Sequence, residues 1–176
     1  VFGGSQGARA LNEAMMEVCP KLEEKDLSIE VVHQVGRLDF ERVRAHYEKL
    51  GLKKVEARQF IDDMASEYTR ADLVLCRAGA TTIAELTVCG RPSILVPFPF
   101  AVDDHQTANA LELEQCGAAI HLAQSKLTPE GLLALIEELY EEPARLEKMA
   151  TAALDAGRPD AVRHIADALE EEVAHV

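Results

Sequence analysis

Five short segments concentrate glycine, small hydroxyl residues, amides and carboxylates in patterns suited to an anionic, polyhydroxylated ligand. They are Gly3-Gly4-Ser5-Gln6-Gly7, Phe60-Ile61-Asp62-Asp63-Met64, Arg77-Ala78-Gly79-Ala80-Thr81-Thr82-Ile83-Ala84-Glu85, Pro97-Phe98-Pro99, and Asp103-Asp104-His105-Gln106-Thr107-Ala108-Asn109. The first is not a dinucleotide fingerprint. G-x-G-x-x-G set on Gly4 and Gly7 would need glycine where Phe2 stands, and the next apolar run ends in His33-Gln34 rather than a carboxylate. A Walker A loop also fails, because no Gly-Lys-Ser/Thr follows Gly3 at the required distance. What remains is a glycine turn with free N–H groups at a helix start and the Ser5 hydroxyl as a further donor to a phosphate. An ordinary strand-to-helix turn fits the same residues.

The third segment places small residues at a predicted helix start, where unpaired N–H groups and the helix dipole favour an anion. Glu85 stands three residues after Thr82, so one reading is a capping box. The other is a carboxylate one turn into an anion-binding helix, accepting hydrogen bonds from two hydroxyls of a ribose beside the phosphate. The spacing fits both. In the fifth segment Gln106 and Asn109 can each donate and accept, which suits sugar hydroxyls. Asp103, Asp104 and His105 carry metal-ligand chemistry, but adjacent residues on one turn seldom aim at one ion, and the chain contains no D-x-D. No metal site is expected. The remaining histidines, His33, His46, His121, His164 and His175, lie outside these segments and read as core or surface residues.

The elements between these segments explain why they should converge. Helical spacing of apolar residues covers Ala8 to Leu22, and I-E-V-V-H at 29–33 reads as a strand. A helix from Phe40 to Leu50, a strand from Val55 to Gln59, a short helix from Asp63 to Thr69 and a strand at 73–76 follow. Then come a helix over Thr82 to Cys89, a strand at 93–96, a helix from Gln106 to Gln115, a short strand at 118–121 and closing helices. Short, nearly all-apolar strands separated by helices require a parallel sheet covered on both faces. The expected fold is therefore α/β: a doubly wound, Rossmann-like parallel sheet, whose ligands bind beyond the carboxyl ends of the strands. A break at Asp155 to Asp160 separates an expected domain at 1–157 from a C-terminal helix at 158–176.

Composition narrows the function. The 176 residues carry 18 Lys and Arg against 31 Asp and Glu, a balance of −13, so a nucleic-acid surface would face repulsion without a basic cluster. Nucleic acid is excluded as a partner. The acidic runs at Glu137-Glu138, Glu141-Glu142 and Glu170-Glu171-Glu172 read as solvated helix faces. Four scattered cysteines at 19, 76, 89 and 116 form no C-x-x-C, which argues against zinc or a disulfide framework and fits a reducing cytoplasm. No apolar run approaches a membrane span, and direct membrane insertion is not expected.

Taken in order and spacing, G-G-S-Q-G-A, F-I-D-D-M, R-A-G-A-T-T-I-A-E and D-D-H-Q-T-A-N-A are similar to the C-terminal half of the MurG family from Val1 to about Val173. The family comprises GT-B glycosyltransferases that move N-acetylglucosamine from UDP-GlcNAc to undecaprenyl-pyrophosphoryl-MurNAc-pentapeptide, turning lipid I into lipid II for peptidoglycan. Four motifs in register make the resemblance strong where any one would be weak. It implies an inverting, metal-independent and cofactor-free transferase, with Gly4, Ser5, Gln6 and Gly7 at the diphosphate and Ile61 offering backbone contacts to uracil. It also implies that Ala80, Thr81, Thr82 and Ile83 present a helix start to the α-phosphate, with Ala84 among the substrate-binding residues. Glu85 would hold the ribose hydroxyls, and Gln106 with His105 would meet GlcNAc. His105 stands where some members carry another glutamine.

The resemblance further implies an N-terminal domain, absent from these residues, that holds the catalytic base, the lipid I pocket and the membrane-facing patch. Val1 is then expected to end a strand whose start has been cut away. The chain alone would bind UDP-GlcNAc without transferring it, while the intact protein would sit peripherally on the cytoplasmic face of the inner membrane. Two other functions share such a fold: a UDP-sugar epimerase and a non-catalytic nucleotide-sugar binding module.

Overall fold

Phe2 is the seam of the sheet. The computed structural model describes residues 1–4, 8–25 and 27–174, with the side chains of 168 and 171–174 left aside. Within these residues run the parallel strands β1 (Val31–Gln34), β2 (Val55–Arg58), β3 (Val74–Cys76), β4 (Ser93–Leu95) and β5 (Ala119–His121). β1 pairs only with β2, and β4 lies between β3 and β5. Phe2 joins the two groups by parallel bridges to Gln34 and Cys76. Its N–H donates to the Leu75 carbonyl at 3.0 Å, and Gln34 N–H donates to the Val1 carbonyl at 2.9 Å. Counting Phe2 as the first position gives the order 3-2-1-4-5-6, the doubly wound arrangement whose winding reverses between positions 1 and 4.

The helices are α1 (Arg9–Glu24), α2 (Phe40–Leu50), α3 (Met64–Arg70), α4 (Ala80–Val88), α5 (His105–Gln115), α6 (Pro129–Glu141), α7 (Pro143–Ala156) and α8 (Ala161–Ala174). Two apolar clusters show how they cover the sheet. Leu75, Ile94 and Val96 join Leu11, Met15 and Val18 of α1, Val43 and Tyr47 of α2 and Leu132 and Leu139 of α6. Val74, Cys76 and Leu95 join Phe2, Tyr68 of α3, Leu86 of α4, and Ala110 and Leu113 of α5. Successive residues of β3 and β4 thus enter opposite clusters, as the two-residue period of a strand demands. Among the described residues no helix is long and apolar enough to cross a membrane.

Element boundaries differ from the sequence expectation where pairing or caps decide them. β1 begins at Val31 rather than Ile29 because its register with β2 starts at Val31 opposite Val55. α4 begins at Ala80, two residues before the expected Thr82. Gly79 takes an extended N-cap conformation (φ −69°, ψ 150°), and its carbonyl accepts the first helical bond from Ile83 N–H at 2.9 Å. Close approach fixes Gly3: a Cβ there would stand 2.2 Å from Ala8 Cβ and 2.7 Å from Ala8 N.

His33 proves to be a core residue with a full set of partners. Asn12 donates through Nδ2 to Val35 O and to Asp39 Oδ2, both at 3.0 Å, so its Oδ1 accepts from His33 Nε2 at 3.1 Å. His33 Nδ1 then accepts from Tyr47 Oη at 3.0 Å, and Tyr47 receives the Cys19 thiol. This fully satisfied network ties α1, β1 and α2 together. His46 and His121 are half-buried and His164 is exposed, while His175 lies outside the described residues. Burial pushes the His33 pKa down to about 3. The folded chain therefore refuses a proton that the unfolded chain accepts below about 6.5. Stability intact above that pH is lost as pH falls toward 3, at about 1.4 kcal/mol per pH unit from this group. Urea unfolding of the wild type and His33→Gln between pH 7 and 4.5 measures it: the wild-type slope should be steeper by that amount. Parallel slopes would contradict the assignment.

Candidate functional site

At a winding reversal the loops leaving the two central strands turn to opposite sides and open a crevice at their carboxyl ends. Here those loops follow Phe2 and β3. The loop after Phe2 carries Gly4 at φ +90°, a left-handed conformation that favours glycine. Ser5, Gln6 and Gly7 lie outside the described residues. The loop after β3 leads into α4, whose N-cap is a glycine and supplies no side-chain cap. In the first turn Ala80, Thr81 and Thr82 are the positions whose N–H groups an α-helix leaves without carbonyl partners, at the positive end of the dipole. Ala84 and Glu85 are exposed, and Thr82 and Ile83 are partly so. Because α4 starts at Ala80, Glu85 is its sixth residue, beyond reach of the N-cap, and the capping-box alternative is ruled out.

Glu85 is instead tied to α3. Tyr68 Oη donates to Glu85 Oε2 at 2.9 Å, while its ring, 3% exposed, meets Phe2 edge-on with centroids 6.2 Å apart. Burial, then the neighbouring carboxylate, holds the phenol well above its ordinary pKa, so it remains a donor.

On the other side Gln34 links two of the expected segments. Its Nε2 donates to Gly4 O at 3.2 Å, and its Oε1 accepts the Ile61 N–H at 3.0 Å. Ile61 is buried with its N–H already engaged, which leaves its carbonyl as the group it can offer. Asp63 caps α3, accepting from Ser66 N at 3.0 Å and Ser66 Oγ at 2.6 Å.

The fifth segment is held under strain. Asp103 and Asp104 both adopt positive φ, 50° and 52°, a conformation that costs non-glycine residues energy and clusters at functional sites. His105 Nδ1 donates to Val102 O at 2.7 Å, and Thr107 Oγ1 donates to Asp104 Oδ1 at 2.7 Å. Gln106 Oε1 accepts Phe98 N–H at 3.0 Å, so the amide keeps its Nε2 donors for a ligand. Asn109 Nδ2 donates to Ala78 O at 2.9 Å; it braces the loop ahead of α4, a structural task the sequence did not disclose. Arg77 does the same for the Phe98 loop. Its Nη1 donates to Val96 O at 3.1 Å and Pro97 O at 2.9 Å, its Nη2 to Gln124 Oε1 at 2.6 Å, and it stacks 5.5 Å from the Phe98 ring centroid.

Contacts thus link Gly4 to Ile61 through Gln34, and the loop ahead of α4 to the fifth segment through Asn109, each of these segments following a strand's carboxyl end. Sequence reasoning missed Gln34 and Tyr68, whose roles come from long-range partners. Among the described residues no group of three or more His, Cys, Asp or Glu side chains is placed to hold a metal ion. A cavity of about 870 Å³ that includes Val1, Ile29, Leu73 and Pro92 shares Ile61 and Tyr68 with the crevice but neither Glu85 nor Gln106. Residues that precede the strands, among them Ile29, Lys54, Leu73 and Pro92, line it, and none of α4 does.

Residues 1–165 match the glycosyltransferase family 28 C-terminal domain. Over 157 residues the chain is 51% identical to the UDP-N-acetylglucosamine--N-acetylmuramyl-(pentapeptide) pyrophosphoryl-undecaprenol N-acetylglucosamine transferase of Syntrophotalea carbinolica, covering 89% of this chain and 44% of that protein. The crystal structure of Acinetobacter baumannii MurG superposes with a TM-score of 0.86 at 38% identity, over 97% of this chain and 50% of the other. A UDP-N-acetylglucosamine 2-epimerase structure from Listeria monocytogenes, described as putative, aligns at a TM-score of 0.72 and 18% identity over 94% of this chain and 42% of its own, a likeness of fold alone. The chain spans less than half the length of the transferase it matches at 51% identity.

Proposed function

The chain belongs to the glycosyltransferase family 28 C-terminal domain family, and from that premise we propose that it is the donor-binding half of an inverting N-acetylglucosaminyltransferase. The donor is UDP-GlcNAc and the acceptor undecaprenyl-pyrophosphoryl-MurNAc-pentapeptide, so that the whole enzyme makes lipid II at the cytoplasmic face of the membrane. The observation that carries this reading is the α4 start: an uncapped helix N-terminus at the winding reversal, with a Tyr68-anchored carboxylate at Glu85.

In this reading the phosphates meet the N–H groups of Ala80, Thr81 and Thr82 and the glycine loop with Ser5, Gln6 and Gly7. The uracil lies against Ile61, whose carbonyl accepts from the ring N–H. Glu85 accepts from the ribose hydroxyls, and Gln106 donates to GlcNAc oxygens beside His105. As the sugar–phosphate bond breaks, negative charge grows on the leaving UDP, where fixed N–H donors and the helix dipole stabilise it without reorganising. The acceptor site and the general base come from the portion of the transferase that these residues do not span. The 51% identity to a transferase supports this over the epimerase reading, which has likeness of fold alone behind it.

Gln106→Ala tests the sugar end. Losing donors that face only GlcNAc should weaken UDP-GlcNAc by about tenfold, the worth of one hydrogen bond, and leave UDP nearly unchanged. Calorimetry with both ligands measures the difference. Equal losses would move Gln106 away from the sugar.

A further inference from the structure

We propose that Tyr68 is a positioning residue for nucleotide recognition, fixing the Glu85 carboxylate so that its free lone pairs meet the vicinal ribose hydroxyls. This rests on the donor-site reading above and assigns a task to a residue that touches no part of the nucleotide. Glu85 is exposed on α4, where a long flexible side chain would ordinarily sample several rotamers. Tyr68 removes that freedom. Its own ring meets Phe2 edge-on and belongs to the buried apolar cluster that also holds Val74, Cys76 and Leu86. The phenol reaches out of this cluster to Oε2 at 2.9 Å. A carboxylate offers about four lone-pair sites. One is used by the phenol, and those that remain suffice for a diol that needs two acceptors.

Ordering one such side chain in advance corresponds to between about two- and tenfold in affinity. The test uses the 176-residue chain, the Tyr68→Phe, Glu85→Ala and double variants, and two probes, UDP and 2′,3′-dideoxy-UDP. The wild type should prefer UDP. Tyr68→Phe should weaken UDP by that two- to tenfold and leave dideoxy-UDP unchanged, because the ring still fills its place in the core. In the Glu85→Ala background the same substitution should have no effect on UDP. A merely structural Tyr68 gives the other pattern: equal losses for both nucleotides, or the same loss with and without Glu85, and either result overturns the proposal. Equal binding of the two nucleotides by the wild type would instead overturn the ribose assignment of Glu85 and this proposal with it. The result expected is a dideoxy-UDP affinity that stays level across all four proteins, with UDP affinity falling from wild type through Tyr68→Phe to Glu85→Ala.

Discussion

Replacing Gly79 by aspartate is expected to make the chain slightly more stable and to weaken its affinity for UDP about a hundredfold. Gly79 holds an N-cap conformation that any residue can adopt, and a Cβ there would meet nothing nearer than Thr82 Oγ1 at 3.9 Å. Aspartate is a strong N-cap residue and complements the helix dipole, together worth about 0.5–1 kcal/mol over glycine. For a chain of this size that is about one to four degrees in Tm. The same carboxylate would occupy the N–H groups proposed for the phosphate and stand beside its charge. At about 5 Å and an effective dielectric of about 20 the repulsion is about 3 kcal/mol, or about a hundredfold in affinity. Gly79→Asn should give the stability with a smaller binding loss. Thermal unfolding and UDP titration of both variants measure the two effects, and a more stable Gly79→Asp protein that still binds UDP normally would place the phosphate elsewhere.

Glu85→Ala should cost about ten- to a hundredfold in UDP affinity, since hydrogen bonds to a charged acceptor are worth about 1.5–3 kcal/mol. It should also lower Tm by a few degrees, because the buried Tyr68 phenol loses its acceptor. Glu85→Gln separates the effects. Its amide oxygen still accepts from Tyr68, so Tm should hold, whereas ribose binding loses the charge-assisted part of its strength. Titration and melting of the two variants decide the matter. An unchanged affinity in both would remove Glu85 from the nucleotide site.

The parts of the fold and site that were legible in the sequence are those set by local chemistry. Apolar runs at Val74–Cys76 and Ser93–Leu95 mark buried parallel strands, and the alternation of their neighbours with helical stretches implies the doubly wound sheet. The segments after the strands could be named because that architecture places ligands there. Whether Glu85 caps its own helix was not legible. It turned on whether α4 starts at Thr82 or Ala80, and a glycine N-cap leaves no side-chain signal to read. Partners distant in sequence were equally hidden. Gln34 reaches Gly4 and Ile61, across 30 and 27 positions, and Asn109 reaches Ala78 across 31. Gln106 and Asn109 looked alike as polar amides at one helix start, yet Asn109 donates to the Ala78 carbonyl while Gln106 keeps its donors.

The most direct test of the central claim, that the crevice at the start of α4 binds a nucleotide sugar through backbone donors, is calorimetric titration of UDP-GlcNAc into the chain in the presence of EDTA. Saturable one-to-one binding is expected, with an affinity that does not change when magnesium or manganese replaces the chelator. Binding that emerges only with the added cation, or no saturable binding at all, would contradict it.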